Sequence, residues 1–223
     1  MNQLQKYKLM KRFLIVILLF SVTFCSFAQK QDKKSKIILE NLANKTNSYK
    51  NIKIDFVYKM ENKSANIDES REGTIIIKGN KYKIDMGAQQ IFCDGETLWT
   101  YLVDDEEVMI NSVEEGEDSF SPKDLLSSYT KNYNSNFIKE RKKNDIIVQV
   151  VVLKPITEKT YSKVKLLIDK EKKQLISSTI FDKNGSKYIY QIKKFETNID
   201  NINDADFIFD TKKYPDVEIN DMR

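Results

Sequence analysis

Apolar and polar residues alternate along much of this chain with a period of two. The alternation is clearest over Ile52–Met60, where every second residue is aliphatic, aromatic or methionine, and it predicts a half-buried β-strand. Shorter segments rich in β-branched and aromatic residues follow, separated by polar turns. The predicted strands are Gly73–Lys78, Lys81–Met86, Gln90–Cys93, Thr97–Val103, Val108–Val113, Asn136–Arg141, Ile146–Leu153, Val164–Asp169, Gln174–Phe181, Lys187–Phe195 and a last short one at Phe207–Phe209.

Two segments have helical spacing instead. Ser35–Asn47 places its apolar residues three and four apart, which predicts an amphipathic helix. In the second segment, Ser121 is a favourable N-cap and Pro122 is suited to the first helical position, so we predict a helix over Ser121–Asn132. The apolar face of the first helix comprises Ile38, Leu39, Leu42 and Thr46, and that of the second comprises Leu125, Leu126, Tyr129 and Tyr133.

The turns indicate how the strands connect. Gly79-Asn80 and Asp94-Gly95 are dipeptides that favour tight antiparallel hairpins. We interpret Asn62–Glu69 as a polar loop and Tyr214–Arg223 as a tail. No Pro-rich linker or change of composition divides the strands, so the sequence predicts one mainly β domain. Since ten or more strands rarely stay flat and open, we expect the antiparallel meander to wrap toward a barrel.

Residues 1–28 are organised like a secretory signal peptide. A basic segment at residues 1–12 precedes the apolar run Phe13–Phe20, and the small residues Ser26 and Ala28 follow. This order predicts export and cleavage near Ala28. The apolar run is short for a membrane span of about 20 residues, although an uncleaved anchor is the alternative.

Two further features concern the start of the chain. Phe24 precedes Cys25, where a lipidation site needs a small residue, so lipidation is disfavoured. Whether Met1 or Met10 is the true start does not affect the interpretation. After cleavage, Cys93 would be the sole thiol, which excludes an internal disulfide.

Composition and charge exclude several functions. The chain has 37 Lys+Arg, 33 Asp+Glu and no His, so catalytic triads with His and His-ligated metal sites are excluded. All four excess positive charges lie within residues 1–12. The predicted mature chain, residues 29–223, is therefore neutral overall, and charge gives no reason to expect a nucleic-acid partner.

Candidate sites for chemistry are weak. Asp182–Gly185 has the start of a calcium loop without its later acidic positions, so a simple turn is favoured. Asp104–Glu107 and Glu114–Asp118 are acidic loops that could bind a cation, with exposed loop charge as the simpler interpretation. Cys93 has no activating His and is expected to be a buried, inert thiol. A glycosidase that uses only carboxylates stays open as a third alternative, but no spacing identifies its acid pair.

An excess of apolar residues on one strand face is the main feature left to explain. They would fill a packed core, or they would leave a cavity for an apolar ligand within a partly closed sheet; the residues alone do not decide between the two. In the second case the helix at Ser121–Asn132 would cover the mouth as a lid. The inward-facing residues are predicted to be Ile54, Phe56, Tyr58, Ile75, Ile77, Tyr82, Ile84, Leu98 and Met109.

One motif resembles a known family. Ile91–Tyr101 reads I-F-C-D-G-E-T-L-W-T-Y, similar to the D-G-x-T-L-W-x-Y signature of the periplasmic outer-membrane lipoprotein carrier (LolA) family. Weaker matches flank it in the same order over nearly the whole of residues 29–223. The motif residues are Asp94, Gly95, Thr97, Leu98, Trp99 and Tyr101.

The resemblance implies an unclosed antiparallel β-barrel of about 10–11 strands plugged by helices. Its cavity would take the acyl chains of lipoproteins, received from an ATP-driven inner-membrane complex and passed to an acceptor at the outer membrane. It further implies a monomeric periplasmic chaperone with no enzymatic activity and no cofactor. A lipoprotein-sensing or structural envelope module with the same fold is the alternative.

The resemblance has one departure, at the lid. Family members place an Arg after the second strand, where it holds the lid, and this chain has Gly79 there. Lys78 or Lys81 could substitute, although Lys lacks the fork of Arg. Burying a long acyl chain is worth roughly 10 kcal/mol, so release requires a movable lid. We therefore predict that Leu125, Leu126 and Tyr129 cover the empty cavity and that Leu125→Asp opens it to fatty acid.

Overall fold

The computed structural model describes residues 33–113 and 132–223. Helix α1 covers residues 33–47. The strands are β1 (Ile52–Asn62), β2 (Ile67–Lys78), β3 (Lys81–Asp85), β4 (Gln89–Cys93), β5 (Thr97–Leu102), β6 (Glu107–Ser112), β7 (Tyr133–Lys143), β8 (Ile146–Pro155), β9 (Tyr161–Asp169), β10 (Gln174–Asp182), β11 (Lys187–Thr197) and β12 (Glu218–Asp221), with 3-10 helices at Asp204–Phe207 and Thr211–Lys213.

All twelve strands form one unclosed sheet in the order β12-β6-β5-β4-β3-β2-β1-β11-β10-β9-β8-β7. Strands β1–β6 and β7–β11 are two antiparallel meanders, and the pairing of β1 with β11 joins them. Asn51 secures the end of this junction, because its side chain donates to the Ile199 carbonyl and accepts from the Ile199 amide, at 2.9 and 2.8 Å. Among the strands of the described residues, only β12 is parallel to its neighbour, β6.

The main core lies between α1 and one face of the sheet, which we call the concave face. Ile38, Leu39 and Leu42 of α1 are buried there, as the helical spacing predicts. Ser35, also buried, anchors the start of α1 through a 3.0 Å hydrogen bond to the Ser135 carbonyl. The strand residues buried in this cluster are Ile52, Ile54, Phe56, Ile75, Ile77, Val151, Leu153, Val164, Leu166, Ile168 and Leu175.

A second, smaller core lies on the opposite, convex face. Phe92, Tyr101 and Val108 of β4–β6 are buried there against Phe209. Because neighbouring residues in a strand point to opposite faces, this cluster is separated from the concave core by the sheet itself. The segment after β11 therefore folds back across the outside of β4–β6.

The predicted mainly β fold is confirmed, but several local predictions are wrong. Phe207–Phe209 is not a strand, because Asp206 accepts the backbone N–H of Asn203 at 2.7 Å and starts a 3-10 turn. Tyr214–Arg223 is not only a tail, since it contains β12. The predicted loop Asn62–Glu69 ends earlier, because β2 begins at Ile67.

The second predicted helix falls mostly outside the described residues. Tyr133, assigned to its apolar face, begins β7 instead. Of the two predicted hairpin dipeptides, Gly79-Asn80 connects β2 to β3 as expected. The central pair of the next turn is Gly95-Glu96, not Asp94-Gly95, since the Asp94 amide donates to the Thr97 carbonyl at 3.3 Å.

Candidate functional site

An apolar row crosses the concave face from β1 to β6. Ile54 lies opposite Ile75, and the row continues through Ile84, Ile91 and Thr100 to Met109. Cross-strand partners share a face, so all six side chains point to the same side of the sheet. The row is buried at Ile54 and Ile75 and half-buried from Ile84 onward.

A parallel row lies one step along the strands. Ile77 is followed by Tyr82, Cys93 and Leu98. Cys93 is 1% exposed, and burial raises the pKa of its thiol, so it has the inert environment that the sequence predicts. Burial also raises the pKa of the Tyr82 hydroxyl, which makes a hydrogen bond with Cys93.

Aromatic residues line the concave face where the two meanders meet. The rings of Tyr58 and Tyr190 lie 5.3 Å apart, and those of Phe56 and Tyr190 lie 6.2 Å apart. Burial raises the pKa of Tyr190 to about 12, so its hydroxyl stays protonated at any physiological pH. Ser178, the cross-strand partner of Tyr190, is 2% exposed, and its hydroxyl makes no hydrogen bond with the described residues.

The structure brings most of the predicted cavity residues together. Ile54, Phe56, Ile75 and Ile77 are buried in the concave core. Tyr58, Tyr82 and Ile84 are half-buried and pack against it. Leu98 and Met109 share the same face but lie outside both hydrophobic clusters. The predicted lid residues Leu125, Leu126 and Tyr129 lie outside the described residues.

The sequence motif has a structural basis in the β4–β5 hairpin. The Asp94 carboxylate accepts the backbone N–H groups of Glu96 and Thr97 at 2.9 and 2.8 Å. Gly95 has a φ of 101°, which L side chains rarely adopt. Asp94 and Gly95 therefore shape the turn and do not reach the concave face.

The aromatic half of the motif holds the C-terminal segment. Tyr101 lies 5.2 Å from Phe209 and 4.8 Å from Tyr214 between ring centroids, and Phe209 stacks on Tyr214. Trp99 packs against the same convex cluster. Among the motif residues only Leu98 faces the concave side with the apolar rows. Sequence reasoning missed this division, because the covering segment lies about a hundred residues away.

Both lysines beside Gly79 bind one carboxylate. Lys78 Nζ lies 3.0 Å from Asp204 Oδ1, and Lys81 Nζ lies 2.7 Å from Asp204 Oδ2. Lys78 also donates to the Ile202 carbonyl at 3.1 Å. In the described part of the chain, these lysines hold the first 3-10 helix against the β2–β3 hairpin.

The candidate calcium loop and one residue of the first acidic loop have structural roles, and the second acidic loop, Glu114–Asp118, lies outside the described residues. The Asp182 carboxylate accepts the Asn184 amide at 2.8 Å, and Asn184 in turn accepts the Ser186 amide at 2.8 Å, so Asp182–Gly185 is a turn. Glu107 accepts the Asn220 side chain at 2.6 Å and links β6 to β12. Within residues 33–113 and 132–223, no group of three Asp, Glu or Cys side chains is placed to hold a metal.

Two surface hollows of similar size lie on opposite faces of the sheet. One, of about 610 Å³, is lined mainly by convex-face residues, among them Lys53, Thr74 and Lys83. The other, of about 590 Å³, lies between α1 and β7–β9, with Ile38 and Ile168 at its base.

No helix in the described parts of the chain is long and apolar enough to span a membrane.

Comparison with known proteins identifies the family. The model of the outer membrane lipoprotein carrier protein LolA matches residues 47–210, so the chain belongs to the LolA family. No curated protein sequence matches it significantly. The predicted family is thereby confirmed, and the match includes both meanders and the convex aromatic cluster up to Phe209.

The chain is also similar to solved structures. An uncharacterised conserved protein from Thermus thermophilus superposes with a TM-score of 0.58 at 9% identity, over 84% of this chain and 99% of that one. A LolA superfamily protein from Nitrosomonas europaea gives 0.43 at 13% identity, over 78% and 97%. The lipoprotein LppX of Mycobacterium tuberculosis gives 0.43 at 11% identity, over 75% and 96%.

Proposed function

We propose that this protein is a non-enzymatic carrier that binds the acyl chains of lipoproteins on its concave face and moves them through the periplasm. Membership of the LolA family supports the ligand class. The observation that carries the proposal is the apolar row of β1–β6, which continues beyond the α1-covered core as half-buried side chains at Ile91 and Met109.

An acyl chain suits this surface for a physical reason. Each CH₂ group removed from water contributes about 0.8 kcal/mol, and the half-buried part of the row offers apolar contacts at Ile84, Ile91 and Met109. The described residues of the row carry no charge, so the favoured ligand part is apolar and not a headgroup. The export signal predicted at residues 1–28 agrees with a periplasmic carrier, and the ATP-driven donor complex and the outer-membrane acceptor are part of the same proposal.

Substitution on the half-buried part of the row tests ligand binding. Ile91→Glu places a charge on the concave face of β4, and we expect it to weaken binding of a fluorescent C16 fatty acid by more than tenfold. Ile219→Glu is the matched control, because Ile219 is 50% exposed and shares the convex face with Val108. Equal affinities of both variants and the wild type would contradict the proposed binding face.

A transfer assay separates a carrier from a lipoprotein sensor. A carrier releases lipoprotein from spheroplasts as a soluble complex and then discharges it into outer-membrane vesicles. A sensor would form the complex and retain the lipoprotein. The readout is radiolabelled lipoprotein in the vesicle fraction, with Ile91→Glu as the binding-deficient control. Complex formation without discharge would reject the carrier role and leave the sensing module.

A further inference from the structure

The hollow beside α1 has an excess of positive charge. Its rim carries four lysines and one carboxylate, although the chain from residue 29 onward is neutral overall. Glu140 pairs with two of these lysines, Lys34 at 3.1 Å and Lys170 at 3.0 Å. The other two, Lys33 and Lys173, are exposed and have no carboxylate partner among the described residues.

The base of this hollow is apolar. Ile38 and Ile168 are buried at its floor, and Ile37 is 50% exposed at its edge. An exposed aliphatic side chain among cations is typical of surfaces that meet the interface of a bilayer, where the lysines contact phosphates and the aliphatic group enters the headgroup region. A purely electrostatic partner such as nucleic acid would leave Ile37 without a role.

The second hollow provides a natural comparison. It has nearly the same volume, and three lysines line it, but three carboxylates, Asp55, Glu72 and Asp85, balance them. Of these two hollows, the one beside α1 therefore combines an excess of positive charge with an exposed aliphatic residue. Similar size with different charge makes the two hollows a matched pair for experiment.

We propose that the hollow between α1 and β7–β9 is a docking surface for an anionic phospholipid bilayer. Lys33 and Lys173 supply the unpaired charge, and Ile37 supplies the apolar contact. Glu140 holds Lys34 and Lys170 in place at the rim. This surface lies apart from the β4–β6 part of the concave face, so docking does not depend on the proposed carrier function.

Vesicle flotation tests the docking surface. The protein is purified from cells that express the full chain and process it, and mass spectrometry determines its N-terminus. We expect binding to vesicles containing 30% phosphatidylglycerol, loss of binding in 0.5 M NaCl, and no binding to phosphatidylcholine alone. The double variant Lys33→Glu/Lys173→Glu should bind at least tenfold more weakly, since each lysine near an anionic surface contributes about a fivefold effect.

The control applies the same charge change to the other hollow. Lys53→Glu/Lys193→Glu should bind vesicles like the wild type. Ile37→Ser should weaken binding without changing its salt dependence. Equal loss of binding in both double variants would show that only net charge matters and would overturn the proposal. Wild-type binding that is absent, or that does not respond to salt, would also overturn it. Retention on an RNA homopolymer without vesicle binding would assign the surface to nucleic acid instead.

Discussion

The ring of Phe56 lies directly over the backbone of Gly73, its cross-strand partner. A β-carbon at Gly73 would come within 2.7 Å of Phe56 Cζ and within 3.0 Å of the Asp85 carbonyl oxygen. The ring can shift, but a backbone carbonyl within the sheet cannot do so easily. Glycine is thus required here by close approach and not by its backbone angles.

Gly73→Ala is therefore expected to destabilise the protein by about 1–3 kcal/mol through overpacking. Urea unfolding gives the value. In a Phe56→Leu background the same substitution should cost at least about 0.5 kcal/mol less, because the ring edge is gone. A cost that is independent of residue 56 would show that the Asp85 carbonyl, and not the ring, limits the space.

The aromatic cluster on the convex face should fix the C-terminal segment. Phe209 is 4% exposed and contacts Phe92, Tyr101 and Tyr214. Phe209→Ala is expected to cost about 3–5 kcal/mol. Trp99, the single tryptophan, packs against this cluster. In Phe209→Ala its fluorescence emission should therefore shift to the red, because the ring becomes more exposed to water. Ile208→Ala is the control, because Ile208 is 44% exposed, and unchanged stability in both variants would contradict the packing.

Acid should weaken the attachment of α1. Hydrogen bonds from Gln149, Lys170 and Lys34 lower the pKa of Glu140 to about 2 from its usual 4.5. Since the folded-state pKa lies below the unfolded one, the stabilisation is complete above pH 4.5 and is lost as the pH falls through 2. Glu140 is partly exposed, so we expect about 1 kcal/mol.

Unfolding by urea at pH 7 and pH 2 measures this contribution. Glu140→Gln should be less stable than the wild type at pH 7 and nearly equal to it at pH 2. Glu158→Gln is the control. Glu158 pairs with Lys183, but its side chain is 90% exposed, so the pair should contribute little to stability. A difference between wild type and Glu140→Gln that persists at pH 2 would exclude titration of Glu140 as the cause.

Removal of the Ser178 hydroxyl should not destabilise the protein, unlike the substitutions above. It is buried without a partner among the described residues, and an unsatisfied buried polar group costs about 1–3 kcal/mol. Ser178→Ala should therefore leave stability unchanged or raise it by up to about 1 kcal/mol. Ser177→Ala, on the opposite face of β10, tests the same chemical change. A clear loss of stability in Ser178→Ala would show that the hydroxyl has a partner.

Periodicity predicted the fold well because most elements have one solvent-exposed face and one buried face. The alternation of Ile52–Met60 and the three- and four-residue spacing of Ile38, Leu39 and Leu42 both reflect the concave core. Prediction of secondary structure failed where local polar contacts determine the backbone conformation. The turn from Asn203 to Asp206 and the four-residue strand β12 are too short to impose a period.

The candidate site was partly predictable for a related reason. Residues of one strand reveal their face, so Ile54, Ile75 and Ile84 could be grouped correctly. The register between strands is not visible in the pattern, and it decides that Ser178 lies beside Tyr190. The balanced charge of residues 29–223 likewise conceals the lysines that collect around one hollow. The predicted lid at Leu125, Leu126 and Tyr129 stays a prediction.

The junction of β1 with β11 has a consequence for how the chain acquires its structure. Asn51 and Ile199, which close this junction, are 148 residues apart in sequence. Each meander can form from neighbouring hairpins, but the pairing that unites them must close a loop of 148 residues. Late, slow joining of two preformed halves is therefore expected. Until that step, the inner faces of both halves are exposed, so the newly made chain is most vulnerable to aggregation and proteolysis then.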